Sequence, residues 1–286
     1  MIRLIRIELF KMSKRPRSYL GFAAFLVINI LFMLGLKYGG LDREVMGSIG
    51  NGGGVSVIGS PVNAEFMTWM AGASPLAVPI LTMFMPFFVC LIFGEIFAGE
   101  NAEGTVRTVL SRPITRWEFF TAKFAASAIY AAGLVFFLGI SAYIIGIIFF
   151  GRGGLLTTGS LDKLVITWYG EREGLARLAL SYLLTFMGMM TVGMVAFFIS
   201  AWLNNTMGAI GGAIMLLFAM FIVGAIPWFK PIKDYLFGTH LLVGTKVFLD
   251  PIPWPEISTS LICLGAYIAG LFIISMLIFS RKDVLA

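Results

Sequence analysis

Long runs without a charged side chain constrain this sequence more than any other feature. Five runs contain no Asp, Glu, Lys or Arg, and they are Ser18–Leu36, Phe66–Gly94, Phe124–Gly151, Leu178–Phe229 and Ile257–Ser280. About 20 apolar residues suffice for a helix to cross the hydrocarbon core of a bilayer. With 59% hydrophobic residues, 13% charged residues and a mean hydropathy of +0.93, the composition is far from that of soluble domains. Because backbone groups in lipid must bond within the spanning segment, the sequence predicts an all-α membrane protein.

The runs predict six transmembrane helices within a single domain, residues 1–286. Leu178–Phe229 is long enough for two crossings, and Trp202, Asn204 and Asn205 supply a polar turn at its middle. The predicted spans are residues 19–36, 78–97, 124–150, 178–203, 207–226 and 257–279. The first span is followed by LKYGG instead of a small-residue cleavage site, so we expect an uncleaved helix and not a secretory signal.

Basic residues predict which ends of the spans face the cytoplasm. They precede the first span, lie between spans two and three, and follow the last span: Arg3, Arg6, Lys11, Lys14, Arg15, Arg17, Arg107, Arg112, Arg116, Lys123, Arg281 and Lys282. Because short cytoplasmic loops carry an excess of Lys and Arg, both termini are predicted to be cytoplasmic. This topology and anionic lipid explain the net charge of +6, so no nucleic-acid partner is expected.

The predicted topology leaves one substantial cytoplasmic loop, Glu100–Lys123. Apolar residues at helical spacing predict a short helix in this loop, and Pro113 ends it. Thr115 and Glu118 form a T-x-x-E capping box, which predicts a new helix that runs through Lys123 into span three. The loop is either an ordinary solvated connector, basic because it is cytoplasmic, or a docking segment for a partner.

The N-terminal segment, residues 1–16, has the pattern of an amphipathic helix. Its apolar face carries Ile2, Ile5, Leu9 and Met12, and its basic face carries Arg3, Lys11 and Lys14. Such a helix can lie in the plane of the lipid headgroups before Pro16 ends it. An ordinary basic segment ahead of the first span is the alternative.

Two stretches resemble the ABC-2 transporter permeases. EGTVRTVLSRPITRWEFFTAK, Glu103–Lys123, is similar to that family's segment after span two, with an acidic residue, Gly-Thr, a basic residue, Pro-x-x-Arg and a following Lys. ELFK, Glu8–Lys11, resembles the family's amphipathic interface helix before span one. The resemblance implies a coupling helix between spans two and three, seated in a cleft of an ATP-binding subunit. It assigns ATPase coupling to Glu103, Gly104, Thr105, Arg107, Pro113 and Arg116, and the interface helix to Ile2, Ile5, Glu8, Leu9 and Lys11.

The resemblance also implies a function, which is the membrane subunit of an ATP-driven exporter. It places the chain in the plasma membrane, which is the inner membrane in a Gram-negative cell. Two copies of a separate ATP-binding subunit would bring ATP and Mg²⁺, and a second permease chain, identical or different, would complete the pathway. This chain has no P-loop, since Gly50–Gly54 lacks the following Lys-Ser/Thr, so we expect no bound cofactor and no enzyme activity. The charge-free cores favour an amphipathic or apolar cargo.

Two other classes of function are alternatives to the exporter. A non-transporting scaffold or sensor could use the same fold with an ATPase partner. An intramembrane enzyme is disfavoured because the span cores contain no His, Asp or Lys to act as a base or a metal ligand. His240 is the only histidine, and Cys90 and Cys263 lie in predicted spans, so no metal site is expected.

Two further stretches carry structural predictions. Glu95 and Glu100 fall at the cytoplasmic end of span two, where they are expected to be solvated or paired with Arg107 or Arg112. Pro227–Leu242 mixes aromatic, basic and apolar residues between spans five and six. That mixture predicts a helix lying at the outer membrane interface.

Overall fold

The computed structural model describes residues 1–38, 84–102, 115–150, 155–159, 165–203, 205–229 and 233–281, and these are mainly helical. The helices are α1 (Ile2–Lys14), α2 (Arg17–Tyr38), α3 (Met85–Ala102), α4 (Arg116–Phe150), α5 (Glu171–Trp202), α6 (Thr206–Ala225), α7 (Phe237–His240) and α8 (Trp254–Arg281). Short 3-10 helices at Pro227–Phe229 and Val243–Phe248 stand before and after α7.

Among the described residues, four helical segments are long and apolar enough to cross a membrane: Arg116–Ile145, Arg172–Trp202, Thr206–Gly224 and Trp254–Arg281. They correspond to predicted spans three to six. A shorter apolar helix, Arg17–Leu31, lies in predicted span one. The described part of predicted span two lies mostly within α3, while its residues 78–83 lie outside the described residues. The helical fold and the presence of helices long and apolar enough to span a membrane are therefore confirmed, and the count of six crossings stays a prediction.

Two helix boundaries follow from local sequence chemistry. Because a residue that precedes proline disfavours the helical region, α1 ends at Lys14, and Arg15 before Pro16 is extended at φ −90° and ψ 121°. Between α5 and α6, the side chain of Asn205 accepts a hydrogen bond of 3.1 Å from the backbone N–H of Met207. This N-cap begins α6 and confirms the turn that was predicted inside the longest apolar run.

The predicted capping box at the start of α4 is also confirmed. The backbone N–H of Glu118 donates to Thr115 Oγ1 over 3.2 Å, and Glu118 Oε2 accepts from the backbone N–H of Thr115 over 3.2 Å. The two residues thus satisfy each other's free backbone donors. From Arg116 the helix runs without interruption through Lys123 to Phe150.

The most buried of the candidate spans is α5, which packs against α3, α4, α6 and α8. A cluster of phenylalanine rings fills the region where α3, α4, α5 and α8 meet, with centroid separations of 5.0 to 6.3 Å. Its members are Phe93, Phe97, Phe119, Phe120, Phe197 and Phe279. Edge-to-face and stacked aromatic contacts, both of which occur in this cluster, add to the stabilisation that apolar burial provides.

Two close contacts fix α3 against its neighbours. Ser200 of α5 donates to the carbonyl oxygen of Gly94 over 2.6 Å and accepts from the backbone N–H of Ala98 over 3.0 Å. On another side of α3, a Cβ added at Gly94 would lie 2.8 Å from Cγ1 of Ile210 in α6. The absence of a side chain at Gly94 therefore lets the backbones of α3 and α6 approach each other.

The all-α prediction is wrong in one detail, which is a β-hairpin between α4 and α5. Strands β1 (Leu155–Gly159) and β2 (Val165–Tyr169) pair antiparallel, with Leu155 opposite Tyr169 and Gly159 opposite Val165. Val, Ile, Thr, Trp and Tyr, which make up β2, favour extended backbone, and this local preference outweighs the helical context of the chain.

The prediction of one interfacial helix over Pro227–Leu242 is also wrong. Leu236 is extended at φ −77° and ψ 128°, and only the four residues of α7 follow it as an α-helix. Phe237 and Val247 are buried against the rest of the protein. The 3-10 helix that follows, Val243–Phe248, packs so closely on α5 that a Cβ at Gly244 would lie 2.6 Å from the carbonyl oxygen of Ser181. We call residues 233–252 the outer cap, because they cover the end of α5 that the sequence predicts to face outward.

Candidate functional site

A buried lysine on α4 forms the centre of the candidate site. The side chain of Lys123 is fully buried, and its Nζ lies 2.8 Å from Glu100 Oε2 and 3.1 Å from Glu8 Oε2. It also donates to the carbonyl oxygen of Ile96 over 3.2 Å. Lys123 thus joins three elements, since Glu8 belongs to α1 and Glu100 to α3.

A second lysine, Lys11 of α1, contacts the same two carboxylates. Lys11 Nζ lies 3.0 Å from Glu8 Oε1 and 3.0 Å from Glu100 Oε1. Each of the two carboxylates therefore contacts both lysines. We call Glu8, Lys11, Glu100 and Lys123 the buried ion network. Its two positive and two negative charges compensate one another, which is the condition for keeping ions away from water at a tolerable cost.

The network shifts the ionisation of two of its members. Burial alone would raise the pKa of Glu100, but the charges and hydrogen bonds of Lys123 and Lys11 outweigh burial and hold the pKa below its usual value. Burial alone would lower the pKa of Lys11, but Glu100 and Glu8 outweigh it and raise the pKa above its usual value. Both shifts favour the charged forms that hold the network together.

Aromatic rings complete the surroundings of Lys123. Its Nζ lies 4.8 Å from the ring centroid of Phe119 and 5.5 Å from that of Phe97. Both distances are within the range in which a ring attracts a cation. The ammonium group is therefore held by carboxylates on one side and by the phenylalanine cluster on the other.

A second acidic residue of α3 ties down the connection between α1 and α2. Glu95 Oε1 lies 3.2 Å from Arg15 Nη1 and 3.3 Å from Arg17 Nη1. Glu95 and Glu100 were expected to be solvated or paired with Arg107 or Arg112. Both are buried and not solvated, and their partners among the described residues are Lys11, Arg15, Arg17 and Lys123. Arg107 and Arg112 lie outside the described residues.

The orientation of α1 corrects the predicted faces of this helix. Glu8 and Met12 are buried against the bundle, and Lys11 turns toward them instead of lying on an opposite basic face. Ile5 and Leu9 are half-buried, as expected for the apolar face, but Ile2 is 83% exposed. Ion pairing with α3 and α4, which local periodicity does not encode, sets the rotation of the helix.

Most of the predicted ATPase-coupling residues cannot be placed, because Glu103, Gly104, Thr105, Arg107 and Pro113 lie outside the described residues. Arg116 is described, and its Nη1 donates to the carbonyl oxygen of Ser280 over 2.7 Å. That bond links the start of α4 to the end of α8.

The structure brings together residues that sequence reasoning did not connect. Glu100 and Lys123, which flank the polar loop, meet at its base, and Glu8 reaches them from α1. A signal was present in the sequence, because Glu8 is the only acidic residue of α1 and Lys123 is the last charged residue before a long apolar run. Within the described ranges, no three His, Cys, Asp or Glu side chains converge in a way that could hold a metal ion.

The helical fold and its four candidate spans define the class of the chain as a helical membrane protein. The chain belongs to the DUF2705 family, described as a protein of unknown function, whose family model matches residues 55–285. It is also similar to the uncharacterized protein YhcI of Bacillus subtilis (strain 168). The two are 26% identical over 237 residues, which cover 78% of this chain and 71% of the relative. Neither description names an activity.

Proposed function

We propose that this chain is the membrane subunit of an ABC transporter, and that it exports an amphipathic or apolar substrate. The ATPase would be a separate subunit, present in two copies and carrying ATP and Mg²⁺. A second permease chain, identical or different, would complete the transport pathway.

One observation carries the proposal, and it is the ion pair of 2.8 Å between Glu100 and Lys123. These two residues flank the loop whose sequence resembles a coupling helix. Glu8 and Lys11 fasten α1 to the same pair. Because separating buried opposite charges is costly, a partner that grips the loop would move α1, α3 and α4 together.

The proposal includes six crossings of the plasma membrane with both termini in the cytoplasm. In addition to the four candidate spans, α2 and α3 would cross. The 22 residues of α2 extend about 33 Å at 1.5 Å per residue, which is enough for the hydrocarbon core. Under this topology the buried ion network lies at the cytoplasmic ends of the spans, beside the loop that the ATPase would bind.

Copurification with an ATPase tests the proposed docking. The full chain is co-expressed in turn with each ABC ATPase subunit of its own organism, and the variant reverses two charges, Glu103→Lys with Arg107→Glu. We expect the variant to insert into the membrane but to lose the ATPase. The control exchanges the charges of Lys246 in the outer cap and Glu256 in α8, Lys246→Glu with Glu256→Lys, and should retain the ATPase. Retention by the loop variant contradicts the docking role.

Transport itself requires a second measurement. Inverted membrane vesicles that contain the chain and the ATPase should accumulate a labelled amphipathic probe when ATP is added. Vesicles without the ATPase should not accumulate it. Binding of the ATPase without ATP-dependent accumulation would favour the scaffold or sensor instead.

A further inference from the structure

The outer cap contains the only histidine of the chain, and its ring links the cap to α8. His240 Nδ1 lies 2.9 Å from Ser260 Oγ, and Nε2 lies 2.9 Å from the backbone carbonyl oxygen of Asp234. Ser260 Oγ in turn donates to the carbonyl oxygen of Glu256 over 2.8 Å. We call these three contacts the His240 chain.

Counting protons shows that a neutral imidazole cannot make all three contacts. The carbonyl oxygen of Asp234 only accepts, so Nε2 must carry a proton to bond it. The hydroxyl of Ser260 has one proton, which it gives either to Glu256 or to Nδ1 of His240. If Nδ1 is unprotonated, Ser260 must turn to it and release the carbonyl oxygen of Glu256. Only the imidazolium, which donates from both nitrogens, satisfies the whole chain.

Among the described residues around His240, the ionisable groups on α8 and on the second 3-10 helix contact other partners. The described residues of α6, which pack against α7, include no ionisable side chain. Lys246 and Glu256 neutralise each other over 2.9 Å. Tyr267 donates from its hydroxyl to the carbonyl oxygen of Tyr235 over 3.0 Å. The ionisable groups on the adjoining segments are Lys233, Asp234, Tyr235, Lys246, Glu256, Cys263 and Tyr267.

We propose that His240 is a proton-operated latch that fastens the outer cap to α8. Protonation of the ring completes the His240 chain, and deprotonation removes one of its three hydrogen bonds. Imidazole changes charge between pH 5 and 8, so acidification tightens the link between α7 and α8. The latch uses residues far from the buried ion network and does not depend on the proposed transport function.

Hydrogen exchange in the full-length, detergent-solubilised protein tests the latch. The measured quantity is the protection of the amides in residues 237–241, corrected for the intrinsic effect of pH. We expect about tenfold more protection at pH 5.5 than at pH 8, the ratio that one hydrogen bond from a charged donor supports. His240→Gln retains a polar side chain but cannot titrate, so its protection should be independent of pH.

Two further variants, one of a serine and one of a threonine, distinguish the latch from a general effect of pH on hydrogen exchange. Ser260→Ala removes the middle of the His240 chain and should also abolish the pH dependence. Thr259→Ala removes a neighbouring hydroxyl that bonds only within α8, to the carbonyl oxygen of Pro255, and should behave as the wild type. The proposal is overturned if wild-type protection does not change with pH. It is equally overturned if His240→Gln or Ser260→Ala retains the full dependence.

Discussion

At the scale of single residues, the chain buries the charges of Glu8, Glu100 and Lys123 and compensates them through their mutual contacts and those with the partly exposed Lys11. Lys123 is fully buried, whereas the pair of Lys246 in the outer cap and Glu256 in α8 is partly exposed. Exposed ion pairs contribute little because water and salt screen them. Removing one partner of a buried pair is costly because an uncompensated charge remains inside. The two pairs therefore provide a direct comparison within one protein.

Replacing Lys123 by methionine should destabilise the protein by about 3 kcal/mol, the lower end of the range for breaking a buried pair, because Lys11 still contacts both carboxylates. Lys246→Met, the matched change at an exposed pair, should cost less than about 1 kcal/mol. The measurement is the free energy of unfolding in a titration with denaturing detergent. Equal losses in the two variants would mean that the buried ion network does not stabilise the fold.

The lowered pKa of Glu100 predicts a pH dependence of stability. A glutamate ionises near pH 4.3 in an unfolded chain, and here the folded pKa lies lower. The unfolded state therefore binds more protons in this window. The stabilisation is complete above the unfolded pKa and is lost as the pH falls toward the folded one. Between pH 5 and pH 3, the wild type should lose more stability than Glu100→Gln, and parallel profiles would refute the assignment.

At the scale of elements, the sequence predicted what is decided locally. Charge-free runs marked four of the helices that are long enough to span, because lipid solvation acts on each segment separately. The sequence also predicted the capping box of Thr115 and Glu118 and the turn at Asn205, since each depends on residues a few positions apart. The sequence did not predict the rotation of α1 or the partners of Glu95 and Glu100. Both depend on contacts between helices that are distant in sequence.

The close approach of α3 and α6 leads to a prediction at this scale. A Cβ at Gly94 would lie 2.8 Å from Ile210 Cγ1 and 3.3 Å from its backbone Cα, so Gly94→Ala must push the two helices apart. We expect a loss of about 1 to 3 kcal/mol in unfolding free energy, as for other overpacked sites. Gly211→Ala is the control, because a Cβ there meets nothing within 4 Å. If both variants unfold alike, α3 and α6 do not pack as described.

At the scale of the whole molecule, one region links the elements that the proposed function requires to move together. Glu8, Glu100 and Lys123 join α1, α3 and α4, and the phenylalanine cluster extends the contact to α5 and α8. The opposite end of α5 carries the outer cap, held by Arg177, which donates to the carbonyl oxygen of Val247 over 2.9 Å. In the proposed transporter, movement of the ATPase would displace the buried ion network, and α5 would transmit this displacement to the outer cap.

The side of the membrane on which the polar loop lies tests the central claim most directly. The measurement uses Ser111→Cys in a chain whose Cys90 and Cys263 are replaced by alanine, and a maleimide that does not cross membranes. We predict labelling only after the cells are permeabilised, whereas Lys233→Cys in the outer cap should be labelled in intact cells. Labelling of Ser111→Cys in intact cells would place the loop outside, out of reach of any ATPase, and would contradict the account.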